Sequence, residues 1–185
     1  CVLGNWEDFS SVRSIVAAHG DDYLLDEEYS QLHFDARMSR AFKASVDRFA
    51  PTFDDEDWLR IQSHSAVAYI LSPPMSQESA EAVSTQCLRL VGTLLEHGGL
   101  AAKSENAGLA HGRARWLELA ARCSAALKDG DEFRARAMLF WAWVQRIIHD
   151  DSIGVFYSIG MHLLGHPDTE IEDSLEPLSA LEWID

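Results

Sequence analysis

Positive charge is what this sequence has least of. Lysine and arginine number 15 against 30 aspartates and glutamates, a formal net charge of −15. Such a surface repels phosphate backbones and anionic lipid headgroups, which excludes nucleic acid and membrane as partners. Cysteine is scarce too. Cys1, Cys87 and Cys123 form an odd, widely spaced set, which argues against a disulfide framework and for a reducing, cytoplasmic compartment. No apolar run approaches the ~18 residues of a membrane span. The longest, residues 137–148, is interrupted by Gln145 and Arg146 and reads as a buried helix. No basic-then-apolar leader is expected, and Cys1 reads as what remains after loss of an initiator methionine.

The catalytic signatures are also missing. There is no G-x-x-x-x-G-K-[ST] loop to cradle phosphate, no G-x-G-x-x-G turn, no C-x-x-C pair and no G-x-S-x-G elbow. No cofactor is expected. What remains is an ordinary globular balance, 47% hydrophobic and 24% charged residues, enough for one good core.

Hydrophobic periodicity supplies the organisation. Residues 1–50 read as strand, helix, hairpin and helix. "CVLGNW" is a short apolar strand, and a helix capped by Asp8 follows, with Phe9, Val12, Ile15 and Val16 on one face. "YLLDEEYSQLHFD" reads as two strands around an acidic turn, Leu32 and Phe34 alternating with Gln31 and His33. "RMSRAFKASVDRFA" is a helix stopped by Pro51. Residues 51–64 form an acidic joint with a short helix around Trp58, Leu59 and Ile61. Residues 65–185 are the main α+β part. Strands are expected in "SAVAYILSPP", "LAAKSENAGLAHG" and "GVFYSIG", with a short edge strand in "TEIE". Three helices lie between. One carries the stripe Ala80, Val83, Cys87, Leu90, Val91 and Leu94; the next Trp116, Leu119, Ala120, Cys123 and Leu127; the third Phe133, Ala137, Phe140, Trp141, Val144 and Ile148. The fold expected is α+β, a mixed or antiparallel sheet covered by helices on one face, all in a single compact domain.

Three groups of residues could carry function. The acids cluster at Asp21, Asp22, Asp26, Glu27 and Glu28, at Asp54, Asp55, Glu56 and Asp57, and along residues 170–176. These clusters would speed encounter with a basic protein. Lys103, Glu105 and His111 could form a small polar site beside a strand end, although Lys103 and Glu105, two apart on a strand, also suit a plain salt bridge. His162 and His166 stand four apart with Asp168 after them. A zinc protease needs H-E-x-x-H on a continuous helix, but here the run is H-L-L-G-H-P, and Gly165 and Pro167 stop any helix. No metal is expected there. The residues between Gly160 and Gly165 read as one packed helical turn joining two strands.

Two stretches, "GGLAAKSENAGLAHGRARWLEL" (residues 98–119) and "FYSIGMHLLGHPDTEI" (residues 156–171), resemble signature blocks of an uncharacterised bacterial family of unknown function. The likeness extends from about Ser65 onward. It implies a small cytosolic protein of a kind sometimes met near toxin–immunity or secretion loci. Joined to the acidic surface, it leads to the expectation of a non-enzymatic immunity protein that occludes a basic toxin domain. The alternatives are a structural or interaction subunit, or a small enzyme with its site near Lys103, Glu105 and His111.

Overall fold

Small and branched side chains build the centre of the molecule. The computed structural model describes residues 1–47, 53–148 and 155–172. Strands β1 (Val2–Gly4), β3 (Ala66–Ala68), β5 (Gly99–Lys103) and β6 (Ala110–Gly112) form an antiparallel sheet in the order β3-β1-β5-β6. Leu3 lies opposite Val67 on one side and Ala101 on the other. A second, two-stranded pairing joins β2 (Leu24–Leu25) to β4 (Ile70–Leu71), and a third sheet runs β7 (Gln145–Ile148), β8 (Val155–Ile159) and β9 (Glu170–Glu172). Every strand pairing among the described residues is antiparallel, so the fold is the expected compact α+β arrangement.

The helices are α1 (Ser10–Ala18), α2 (Arg37–Lys43), α3 (Asp55–Gln62), α4 (Ala80–Glu96), α5 (Arg113–Asp129) and α6 (Glu132–Trp143). Side chains alternate across a strand, and here both faces of the central sheet are covered rather than one. Val2, Ala66, Ala68 and Ala102 face the larger core, where Val12 and Val16 of α1, Leu88 and Leu94 of α4, Trp116 and Leu119 of α5 and Leu139 of α6 are buried. Leu3, Val67, Ala101 and Ala110 face a smaller core closed by Met38 and Phe42 of α2 and Ile61 of α3.

Three expectations are corrected. Residues 23–35 do not form a hairpin. Leu24 and Leu25 pair with β4 instead, and Gln31 makes a lone bridge to Val67. Leu32 and Phe34 are therefore exposed, not core. The third long helix ends at Trp143, and the branched run that follows becomes β7, hydrogen-bonded to β8, as β-branched side chains favour. Within α6 the buried positions are Ala135, Met138, Leu139, Ala142 and Trp143, while Phe133, read as core, is 86% exposed. Helix α2 stops at Lys43, and the Pro51 expected to end it lies outside the described residues. No helix among the described residues is long and apolar enough to cross a membrane.

Candidate functional site

The stretches 98–119 and 156–171 meet, with Ala107 of the first against Gly160 of the second. In the first, β5 and β6 form a hairpin that leads straight into α5, and three residues explain its "AHGRARW" core. His111 lies opposite Ala102, on the face of the larger core, and its Nε2–H donates to the Ala142 carbonyl at 3.1 Å. Its ring stands edge-on to Trp116 at 5.6 Å, and burial lowers its pKa to about 4, so it is neutral at pH 7. Trp116 Nε1–H donates to the Leu88 carbonyl at 3.0 Å. Gly112 is required because a Cβ there would overlap the Asp57 carboxylate.

Asp57 itself is only 3% exposed. It shares a capping box with Asp54, whose carboxylate accepts from the Asp57 N–H at 2.8 Å. Its own carboxylate also packs against Gly112 at the start of α5, and burial raises its pKa. The acids of this joint therefore divide. Asp54, Asp55 and Glu56 remain exposed, whereas Asp57, expected on a partner-binding surface, ties two helix starts together from inside.

In the second block, residues Met161–Leu164 form a 3-10 turn between β8 and β9, as expected. Gly160 opens it at φ +114°, where a side chain would also strike the Trp143 carbonyl. Asp168 accepts from the Met161 N–H at 2.9 Å and from Ser158 Oγ–H at 3.3 Å. The buried Ser84 Oγ–H of α4 holds the turn by donating to the Leu163 carbonyl at 2.6 Å. His162 Nδ1 is 3.8 Å from Asp168. No group of three His, Cys, Asp or Glu among the described residues converges as a metal set. These histidines sit on a structural turn.

Between the 103–106 turn, β4, α4 and the 3-10 turn lies a cavity of about 270 Å³. Buried Leu90, Trp116, Trp143 and Leu163 line its interior, and half-buried Lys103 with exposed Glu105 and Asn106 stand at its rim. Lys103 Nζ–H donates to Glu105 in a direct ion pair. Cys87 also lines the wall, and burial pushes its thiol up to about 11, so it carries no thiolate at neutral pH. Ser72, Met75, Asn106 and Leu163 are shared with a wider cleft of about 640 Å³ that reaches Pro73, Pro74, His162 and His166. The three residues expected to form a polar site thus part company. Lys103 and Glu105 meet at the cavity, while His111 is enclosed in the core behind Trp116 and is not a lining residue.

The remaining candidate is the N-terminal acidic segment. Asp26 Oδ1 accepts from the Glu28 N–H at 3.0 Å and the Tyr29 N–H at 3.2 Å, so Asp26 shapes the turn. Glu27 pairs with Arg13 at 2.7 Å, and Asp21, Asp22 and Glu28 are exposed. Among these acids lie apolar groups that sequence reasoning had assigned to a strand interior or passed over. Leu24, Tyr29, Leu32 and Phe34 are exposed, and so is Leu71, paired across from Leu24. Tyr29 packs edge-on to Tyr69 at 6.3 Å, and Phe34 tilts against His64 at 4.8 Å. The missed signal was the density of acids around Leu24 and Tyr29, which suits a solvated edge better than a buried hairpin. The acidic run at residues 170–176 falls mostly outside the described residues. Comparison with protein-family models, curated proteins and solved structures finds no match in any of the three.

Proposed function

We propose that this chain is a non-enzymatic binding protein of the immunity class, which neutralises a basic partner domain by covering it. One observation carries the proposal. The segment over residues 21–34 exposes Leu24, Tyr29, Leu32 and Phe34 beside Asp21, Asp22, Glu27 and Glu28. Exposed aromatic and apolar groups interspersed with acids have the composition of a protein–protein contact surface. The acids of the segment and the net charge of −15 select a basic surface and accelerate encounter with it. Asp54, Asp55 and Glu56 extend the acidic field, and Asp57 contributes none of it directly. The enzyme alternative is less well supported, because His111 is enclosed and separate from Lys103 and Glu105.

Two substitutions separate the contributions. Against an isolated partner, Tyr29→Ala is expected to raise the dissociation rate and weaken affinity by about tenfold or more, as loss of an aromatic anchor does. Glu28→Lys is expected to slow association and flatten its salt dependence. Unchanged rates for both would remove this face from the interaction.

A further inference from the structure

The rim of the 270 Å³ cavity carries Lys103 and Glu105 side by side, a paired cation and anion above an apolar interior. We propose that the cavity binds a free amino acid with a large apolar side chain, its carboxylate on Lys103 and its ammonium on Glu105.

Three features lead there. The first is the division of the wall, with Leu90, Trp116 and Leu163 buried inside and the charged groups gathered at the opening. That is the pattern of a small-molecule site, in which an apolar enclosure holds the body and a few polar groups fix the head. The second is the paired charge. Lys103 and Glu105 satisfy each other in a direct ion pair. A zwitterionic head inserted between them exchanges one ion pair for two, whereas an amine or a carboxylate alone would engage one partner and strand the other. The third is the field of the whole molecule. A net charge of −15 repels an anionic ligand at a distance but leaves a zwitterion of zero net charge unopposed.

Size agrees. A volume of about 270 Å³ lies just below the ~300–1,000 Å³ of drug-sized sites. It is room for one amino acid rather than a nucleotide cofactor. The wider cleft, which shares Asn106 and Ser72 with the cavity, supplies the way in. Nothing in this proposal rests on the partner-binding face.

Titration calorimetry of the full chain with L-leucine, L-methionine and L-phenylalanine tests it. The single-charge analogues of whichever binds come next, 3-phenylpropionate and phenethylamine in the case of phenylalanine. Saturable binding of at least one amino acid is expected, with each single-charge analogue at least about tenfold weaker. Lys103→Met keeps the aliphatic stem, and Glu105→Gln alters an exposed turn residue, so at least one of the two should fold normally. Each is expected to weaken binding by about tenfold or more. The proposal is overturned if no amino acid binds at millimolar concentration. It is equally overturned if a single-charge analogue binds as tightly as its parent, or if the folded variants bind like the wild type.

Discussion

Asp57 and Gly112 act as one unit, a buried carboxylate set against a glycine that leaves it room. Gly112→Ala is expected to destabilise the fold by about 1–3 kcal/mol, as overpacking does. Asp57→Ala, which strands the Asp54 N–H, should cost about 1–3 kcal/mol. The double variant should cost less than the sum, because removing the carboxylate relieves the clash. Urea unfolding of the three variants checks this, and strict additivity would contradict it. His111 makes a second residue-scale prediction. Its folded pKa of about 4 lies below the ordinary 6.5, so between those values the unfolded chain binds more protons. Stability from this group is complete above pH 6.5 and falls as the pH drops toward 4, by roughly 3 kcal/mol at most. The decline in urea midpoint between pH 7 and 4.5 should be shallower in His111→Phe, and an unchanged slope would contradict the assignment.

Among the elements, α6 shows what periodicity left undecided. A helix containing Phe133, Phe140, Trp141 and Trp143 has large apolar groups on every side, so the stripe through Phe133 and Phe140 is only one of several that periodicity allows, and tertiary packing decides the face. Phe133→Ser should therefore change stability by less than about 0.5 kcal/mol. Leu139→Ala should cost about 2–5 kcal/mol. Thermal unfolding of the pair distinguishes the observed face from the one periodicity suggested. Elsewhere burial followed the stripes in large part: Phe9, just before α1, with Val12 and Val16 in it, and Trp116, Leu119 and Cys123 in α5 are buried, whereas Leu127 at the end of the α5 stripe is exposed. The 3-10 turn was legible because Gly160 and Gly165 bracket it. Its anchor was not, since nothing local marks Ser84 as the donor to Leu163, 79 residues away. Ser84→Ala leaves that buried carbonyl unpaired and should cost about 1–3 kcal/mol.

For the whole molecule, hydrophobic periodicity and the order of elements carried the class of fold, while long-range pairing decided the surfaces. The pairing of β2 with β4, rather than with its neighbour in sequence, exposes the acidic and aromatic segment. The convergence of β4 with the 103–106 turn creates the cavity. Neither consequence is written in local pattern, because a two-residue strand such as Leu24–Leu25 can pair with many partners. The central claim is that the exposed face over residues 21–34 takes a basic protein. Its most direct test is capture from a lysate of the native cells at low and high salt, using tagged wild-type chain and the Tyr29→Ala, Glu28→Lys double variant. The account predicts one basic protein, retained by the wild type at low salt, weakened at high salt and lost with the variant. Recovery of the chain alone, or of a partner held equally by the variant and insensitive to salt, would contradict it.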